Sequence, residues 1–78
     1  MPTKHIKTEN ALIGVGGEVL ALLDHDKTVS RLFHDLQEQR RVNELATIHF
    51  DWFLLAADFL YSTGAIRFEA GVLKKMNQ

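Results

Sequence analysis

The run from Ile48 to Tyr61 carries more apolar side chains than a helix that packs on one side only can bury. At about 100° per residue, Asp51, Asp58 and Ser62 fall in one narrow wedge of such a helix, and apolar side chains occupy most of the remaining circumference. A single small core cannot cover that surface, so we expect the helix to have a second apolar neighbour. The run contains no Lys or Arg, although it lies where a winged helix-turn-helix protein places its DNA-reading helix.

Two further helices are predicted before this one. The first is expected over residues 11–23, although glycines weaken its early turns. The second is expected over residues 29–40, with Thr28 as its N-cap. The third helix contains the apolar run, with Thr47 as its predicted N-cap and Gly64 after its last turn.

A β-hairpin is predicted at the C-terminal end. Residues 65–68 and 72–75 flank a turn that contains Gly71. Three helices and a short hairpin predict a mainly α, winged helix-turn-helix-like domain over residues 10–78, after a flexible N-terminal arm of residues 1–9 in which Pro2 disfavours an early helix. The spacing of apolar residues predicts a core of Leu20, Leu23, Leu32, Leu36, Phe53, Leu60 and Ile66.

Length and composition exclude several classes of protein. The chain of 78 residues has no cysteine, which removes disulfides, thiolate zinc sites and cysteine nucleophiles. A domain of this size buries only roughly 60% of its unfolded surface, so a partner is a natural source of stability. The first ten residues do not have the apolar core of a signal peptide, and no apolar stretch reaches the roughly 20 residues that span a bilayer, so we expect a cytoplasmic protein without a membrane segment.

The sequence lacks a set of residues that suits catalysis. The glycine-rich segment 14–17 does not have phosphate-loop spacing, and the four histidines do not have the i, i+4 spacing of metal ligands. Asp51 and Asp58 lie on one wedge of a helix, which is typical of a solvated stripe rather than of an acid and base in a cleft. We therefore expect no enzymatic activity, no cofactor and no metal.

DNA binding is the main alternative to protein binding. Helix-turn-helix proteins use Arg, Lys, Asn or Gln to contact base edges, and the third helix offers aspartates and aromatic residues instead. The net charge of −1 also gives no general attraction to phosphate. The residues left for phosphate contact lie in the hairpin: Arg67, Lys74 and Lys75. Such contacts would be weak, salt-sensitive and without sequence selectivity.

The surplus apolar surface predicts a protein interface. The third helix and the apolar flank of the second are expected to leave a contiguous patch exposed, drawn from Phe33, Phe50, Trp52, Leu55 and Phe59. Trp52 is the leading anchor, because large aromatic residues dominate interface centres; the alternative is that it fills the core. A third hypothesis is a homodimer that packs through the small residues of the first helix, Gly14, Gly17 and Ala21.

The apolar run also resembles a known family. Its pattern is F-x-x-F-x-x-A-x-D-x-L-Y followed by a glycine and a hairpin, matched by Phe50, Phe53, Ala56, Asp58, Leu60, Tyr61 and Gly64. Over residues 18–75 the chain resembles the middle components of bacterial three-component ABC-ATPase systems. These look like small winged-helix adaptors encoded between an SMC- or Rad50-like ATPase and an effector, in Lamassu-like phage-defence loci. The resemblance implies a non-catalytic adaptor with those two proteins as partners; the alternative is a small winged-helix transcription regulator.

Overall fold

The computed structural model describes the backbone of residues 3–76 and the side chains of residues 12–76. Three helices are followed by two antiparallel strands: α1 (Thr3–Leu22), α2 (Val29–Val42), α3 (Phe50–Thr63), β1 (Ile66–Glu69) and β2 (Val72–Lys75). The predicted fold class, a mainly helical domain with a C-terminal hairpin, is confirmed, and the arrangement is compatible with a winged helix-turn-helix.

The first helix is longer than predicted. It begins at Thr3 rather than near residue 11, so the expectation that no helix forms this early in the chain is wrong. A proline restricts the residue before it and not the residues after it, which is why Pro2 does not prevent a helix from starting at Thr3. Residues 1 and 2 lie outside the described residues, and the division of the chain into a flexible arm and a domain stays a prediction.

Helix α1 packs on α3 through its one buried glycine. A Cβ atom added at Gly16 would lie 3.5 Å from Cδ2 of Leu60, so the small residue allows a close approach of the two helices. Gly14 and Gly17 face open space instead, with no atom within 4 Å of an added Cβ. Each of the three glycines lowers the helix propensity of α1. Tertiary packing offsets this cost only at Gly16.

Helix α2 begins as predicted and extends two residues further than predicted. The Oγ1 atom of Thr28 accepts a hydrogen bond from the backbone N–H of Arg31 at 3.1 Å, which caps the helix. Near the other end, Arg40 donates from Nη1 to Oε2 of Glu18 at 2.7 Å and from Nε to the carbonyl oxygen of Ala46 at 2.6 Å. Arg40 therefore ties the α2–α3 linker to α1.

Helix α3 begins at Phe50, and the predicted N-cap at Thr47 is wrong. His49 occupies the cap position and makes no side-chain cap hydrogen bond. The segment before the helix is held from α2, where the side-chain amide of Gln37 donates to the carbonyl oxygen of Ile48 at 2.7 Å and accepts from its N–H at 3.1 Å. The end of α3 is confirmed, because Gly64 adopts the left-handed conformation with φ 84°.

The hairpin joins the helical part through one extra backbone pairing. Phe68 lies opposite Leu73 in the β1–β2 register, and Ala70 and Gly71 both have positive φ, as in a type I′ turn. Lys27, just before α2, pairs antiparallel with Leu73: the two residues exchange N–H···O bonds of 3.3 and 2.7 Å. This pairing was not predicted, and it places the hairpin beside the N-terminal end of α2.

The buried core confirms six of the seven predicted residues. Leu20 is only partly buried and packs against the cluster, because the buried line of α1 runs through Val15, Val19 and Leu23. The full buried cluster is Val15, Val19, Leu23, Leu32, Leu36, Phe53, Ala56, Leu60, Ile66 and Leu73.

Candidate protein-binding surface on the third helix

Helix α3 exposes large apolar side chains on both sides of its buried line. Phe53, Ala56 and Leu60 face the core. Apart from Trp52, which is partly buried, the other large residues stay substantially exposed to solvent: Phe50 44%, Leu54 41%, Leu55 48%, Phe59 42% and Tyr61 58%. The domain core therefore uses only one face of the helix, as the sequence predicted.

The face opposite the core is acidic. Asp51, Asp58 and Ser62 are exposed, and helical geometry places the two aspartates on the side of α3 that points away from the buried line. No ion pair joins either aspartate to a side chain that the structure describes, whereas Asp24, Asp35 and Glu69 each have a basic partner. The two carboxylates of α3 thus stand on an exposed helix face, with apolar residues on either side.

One apolar flank of α3 forms a groove with the hairpin, which we call the hairpin groove. Its walls include Leu54, Ala57 and Tyr61 from α3, Phe68 from β1 and Val29 from α2. Buried Phe53, Ile66 and Leu73 also line it, its volume is about 360 Å³, and Asp58 is its only charged lining residue. The groove is open to solvent and has the apolar lining of a binding site for an apolar side chain.

The other apolar flank, which we call the Trp52 flank, consists of Trp52, Leu55 and Phe59. These residues are spaced i, i+3 and i+7, so they share one side of the helix. Trp52 is half-buried and packs against the core, whereas Leu55 and Phe59 project further into solvent.

Phe33 and Phe50 belong to an aromatic cluster at the seam between α2 and α3. The ring centroid of Phe33 lies 5.1 Å from that of Phe50 in an edge-to-face arrangement and 5.2 Å from that of Phe53. The five residues predicted as one contiguous interface are therefore divided by the structure: Phe33 and Phe50 lie on one side of α3, and the Trp52 flank lies on the other.

The basic residues of the hairpin are close to carboxylates. Arg67 contacts Oε2 of Glu69 at 3.1 Å, and Lys74, opposite Arg67 in the sheet, lies 3.7 Å from both Oε1 of Glu69 and Oδ2 of Asp26. Lys75 is exposed at the end of β2. Neighbouring carboxylates weaken the attraction of Arg67 and Lys74 for phosphate.

Lys27 is the one buried charged residue among the described side chains, with 8% of its surface exposed. Its Nζ atom donates to Oδ2 of Asp35 at 2.8 Å. That hydrogen bond holds the pKa of Asp35 below its ordinary value, although burial acts in the opposite direction. The pair joins the segment just before α2 to the middle of that helix.

Gly14, Gly17 and Ala21 lie exposed on α1, and a Cβ atom added at either glycine would meet no atom within 4 Å. Within the described part of the chain, no three His, Asp or Glu side chains converge to hold a metal ion. Over the same residues, no helix is both long and apolar enough to span a membrane.

None of the nine residues that line the hairpin groove was among the predicted interface residues, and this includes its exposed apolar walls, Leu54, Tyr61 and Phe68. Two signals in the sequence could have indicated them. Leu54 and Tyr61 are seven residues apart and so share one side of a helix, and Phe68 lies two residues after Ile66 and so shares its face of β1. What the sequence could not show is that this hairpin face lies beside α3.

A family model matches residues 1–77, that of the ABC-three component (ABC-3C) system Middle Component 6. The match spans all five elements of the structure, from the start of α1 to the end of the hairpin. Neither the curated proteins nor the solved structures contain a match to the chain.

Proposed function

We propose that this chain, which belongs to the ABC-three component (ABC-3C) system Middle Component 6 family, is a non-catalytic adaptor that binds the other proteins of its system through α3. A component of a multi-component ABC system has protein partners. Following the resemblance of residues 18–75, we assign these partners as an SMC- or Rad50-like ABC ATPase and an effector in a bacterial phage-defence system.

One observation supports this function above the others: the exposed apolar area on both flanks of α3. Leu54 and Leu55 are each more than two-fifths exposed although they are neighbours in a regular helix. Monomeric proteins rarely leave large apolar patches uncovered, and protein interfaces are where such surfaces become buried. An adaptor of 78 residues also gains stability from a partner that covers them.

The five proposed interface residues have different parts in this surface. Leu55 and Phe59 project into solvent and can enter a partner directly. Trp52 contributes both to the core and to the surface, because it is half-buried against the core cluster. Phe33 and Phe50 support each other at the α2–α3 seam, where the exposed part of Phe50 extends the surface toward α2.

The same surface argues against a winged-helix transcription regulator. Asp51 and Asp58 occupy the face of α3 that would enter the major groove, where they would repel phosphates. In the hairpin, Glu69 lies against both Arg67 and Lys74. Of the three basic residues proposed for phosphate contact, Lys75 is the one without an ion pair to a described side chain, and the net charge of the chain is near neutral.

Co-purification with the ATPase encoded beside this gene tests the proposal. Leu55→Ala and Phe59→Ala should reduce the amount of ATPase retained on the tagged chain, since both remove exposed apolar contacts. Leu45→Ala is the matched control, because Leu45 is 48% exposed, as Leu55 is, and lies outside α3. All three variants should keep the thermal stability of the parent. Equal retention by Leu55→Ala, Phe59→Ala and Leu45→Ala would refute the assignment of α3.

A further inference from the structure

The outward face of α3 combines charge and apolar surface in a defined order. Asp51 and Asp58 form its centre, seven residues apart and therefore about two helical turns from each other. Leu54 and Leu55 lie on opposite sides of this acidic line, and both are exposed. A partner that covers the leucines must also desolvate the two carboxylates, which is costly unless it brings positive charges to them.

The hairpin groove adds a second requirement. It is apolar apart from Asp58, and Tyr61 and Phe68 form its exposed walls. A side chain that enters the groove beside Asp58 is therefore apolar, and the residue next to it on the partner is basic.

We propose that the partner places a basic amphipathic helix along α3, with Lys or Arg side chains against Asp51 and Asp58 and an apolar side chain in the hairpin groove. This inference rests on the proposed adaptor function and specifies the chemistry of its partner. Residues three to four apart on the partner helix would supply the alternating basic and apolar positions that match the acidic line and the groove.

Charge complementarity excludes two other occupants. Helix α3 contains no Lys or Arg, so a second copy that packed α3 on α3 would bring aspartates against aspartates. Duplex DNA presents phosphates and would meet the same repulsion. A basic helix is the occupant that satisfies both the carboxylates and the groove.

The test measures binding of the full chain to the purified ABC ATPase from the same locus, at low and at moderate salt. Asp51→Lys and Asp58→Lys reverse the charges of the acidic line. Glu44→Lys is the control, since it makes the same change of charge at an exposed residue in the α2–α3 linker. Phe68→Ala removes one wall of the groove, with Leu45→Ala as its control. Circular dichroism checks that each variant is folded, and Asp58→Asn replaces Asp58→Lys if the latter does not fold.

We expect Asp58→Lys to weaken binding about tenfold or more, because a buried like-charge contact replaces an attraction. The affinity of the parent should fall with salt, and Phe68→Ala should weaken binding while both controls leave it unchanged. Exchanging the facing Lys or Arg of the ATPase for Glu should restore binding to Asp58→Lys.

Two results would overturn the inference in different ways. If both aspartate variants bind within about twofold of the parent while Leu55→Ala loses binding, the adaptor function stands and the basic helix is wrong. If the parent binds neither the ATPase nor the effector, the adaptor function itself is wrong. Displacement of the ATPase by duplex DNA would assign this face to DNA and would also overturn the inference.

Discussion

Leu36→Ala is expected to cost a large share of the stability of this domain. Leu36 lies in the middle of α2 and has 0% of its surface exposed. Truncating a fully buried leucine removes its transfer free energy and leaves a cavity, which costs about 2 to 5 kcal/mol. A domain of 78 residues has a total stability of about 4 to 12 kcal/mol, so this single change removes about a sixth of it or more.

Chemical denaturation followed by tryptophan fluorescence measures this loss, since the chain contains one tryptophan, Trp52, packed against the core. In thermal unfolding, the midpoint should fall by at least about 8 °C, because each kcal/mol corresponds to about 4–8 °C in a domain of this size. Leu55→Ala, at an exposed position of α3, should change the free energy of unfolding by less than about 0.5 kcal/mol. An unchanged midpoint for Leu36→Ala, or equal losses for the two variants, would refute the core assignment.

Three further predictions concern α1, the buried ion pair and DNA. Gly14→Ala and Gly17→Ala should each raise the free energy of unfolding by about 0.5–1 kcal/mol, because both glycines lie inside α1 with open space around them; a denaturation midpoint that does not rise contradicts this. Asp35→Asn should destabilise the domain at neutral pH by about 1–3 kcal/mol, because buried Lys27 loses its carboxylate partner. The lowered folded-state pKa of Asp35 gives stability that is present above the unfolded-state pKa and is lost as pH falls through the folded-state pKa. The denaturation curves of parent and variant should therefore converge in acid, once the pH lies below that lowered pKa, and not remain apart. Fluorescence anisotropy with duplex DNA should detect no sequence-selective binding that survives about 150 mM salt, and such binding would contradict the account of α3.

Local signals were sufficient where the structure depends on neighbours in sequence. Thr28 could be identified as the N-cap of α2 because a capping hydroxyl bonds a backbone N–H three residues later, as it does here to Arg31. Gly64 could be identified because the residue after a helix commonly adopts positive φ. The apolar spacing of α2 and α3 likewise identified Leu36 and Phe53 as buried residues.

Long-range contacts explain the failures. The start of α3 is held by Gln37, eleven residues before Ile48, and no local pattern around Thr47 could indicate this. The pairing of Lys27 with Leu73 depends on where the hairpin packs. The early start of α1 has another cause: once a helix is nucleated by packing, extending it costs little, so a polar segment without apolar spacing can remain helical.

The sequence predicted that α3 carries an exposed apolar surface, but it did not predict the groove that this surface forms with the hairpin. An apolar helix with a narrow acidic wedge indicated that α3 has two apolar sides, and Leu55 and Phe59 are exposed as expected. The hairpin groove depends on Phe68 lying beside Tyr61, which follows from the placement of the hairpin and not from the sequence of either element.

Site-specific photo-cross-linking within the assembled system tests most directly whether α3 is a protein-binding helix. A photoreactive amino acid replaces Leu55 in one variant and Leu45 in another, since the two leucines have the same exposure. The account predicts cross-links from position 55 to the ABC ATPase or to the effector, and none from position 45. Cross-links from position 45 alone, or from position 55 to DNA, would contradict it.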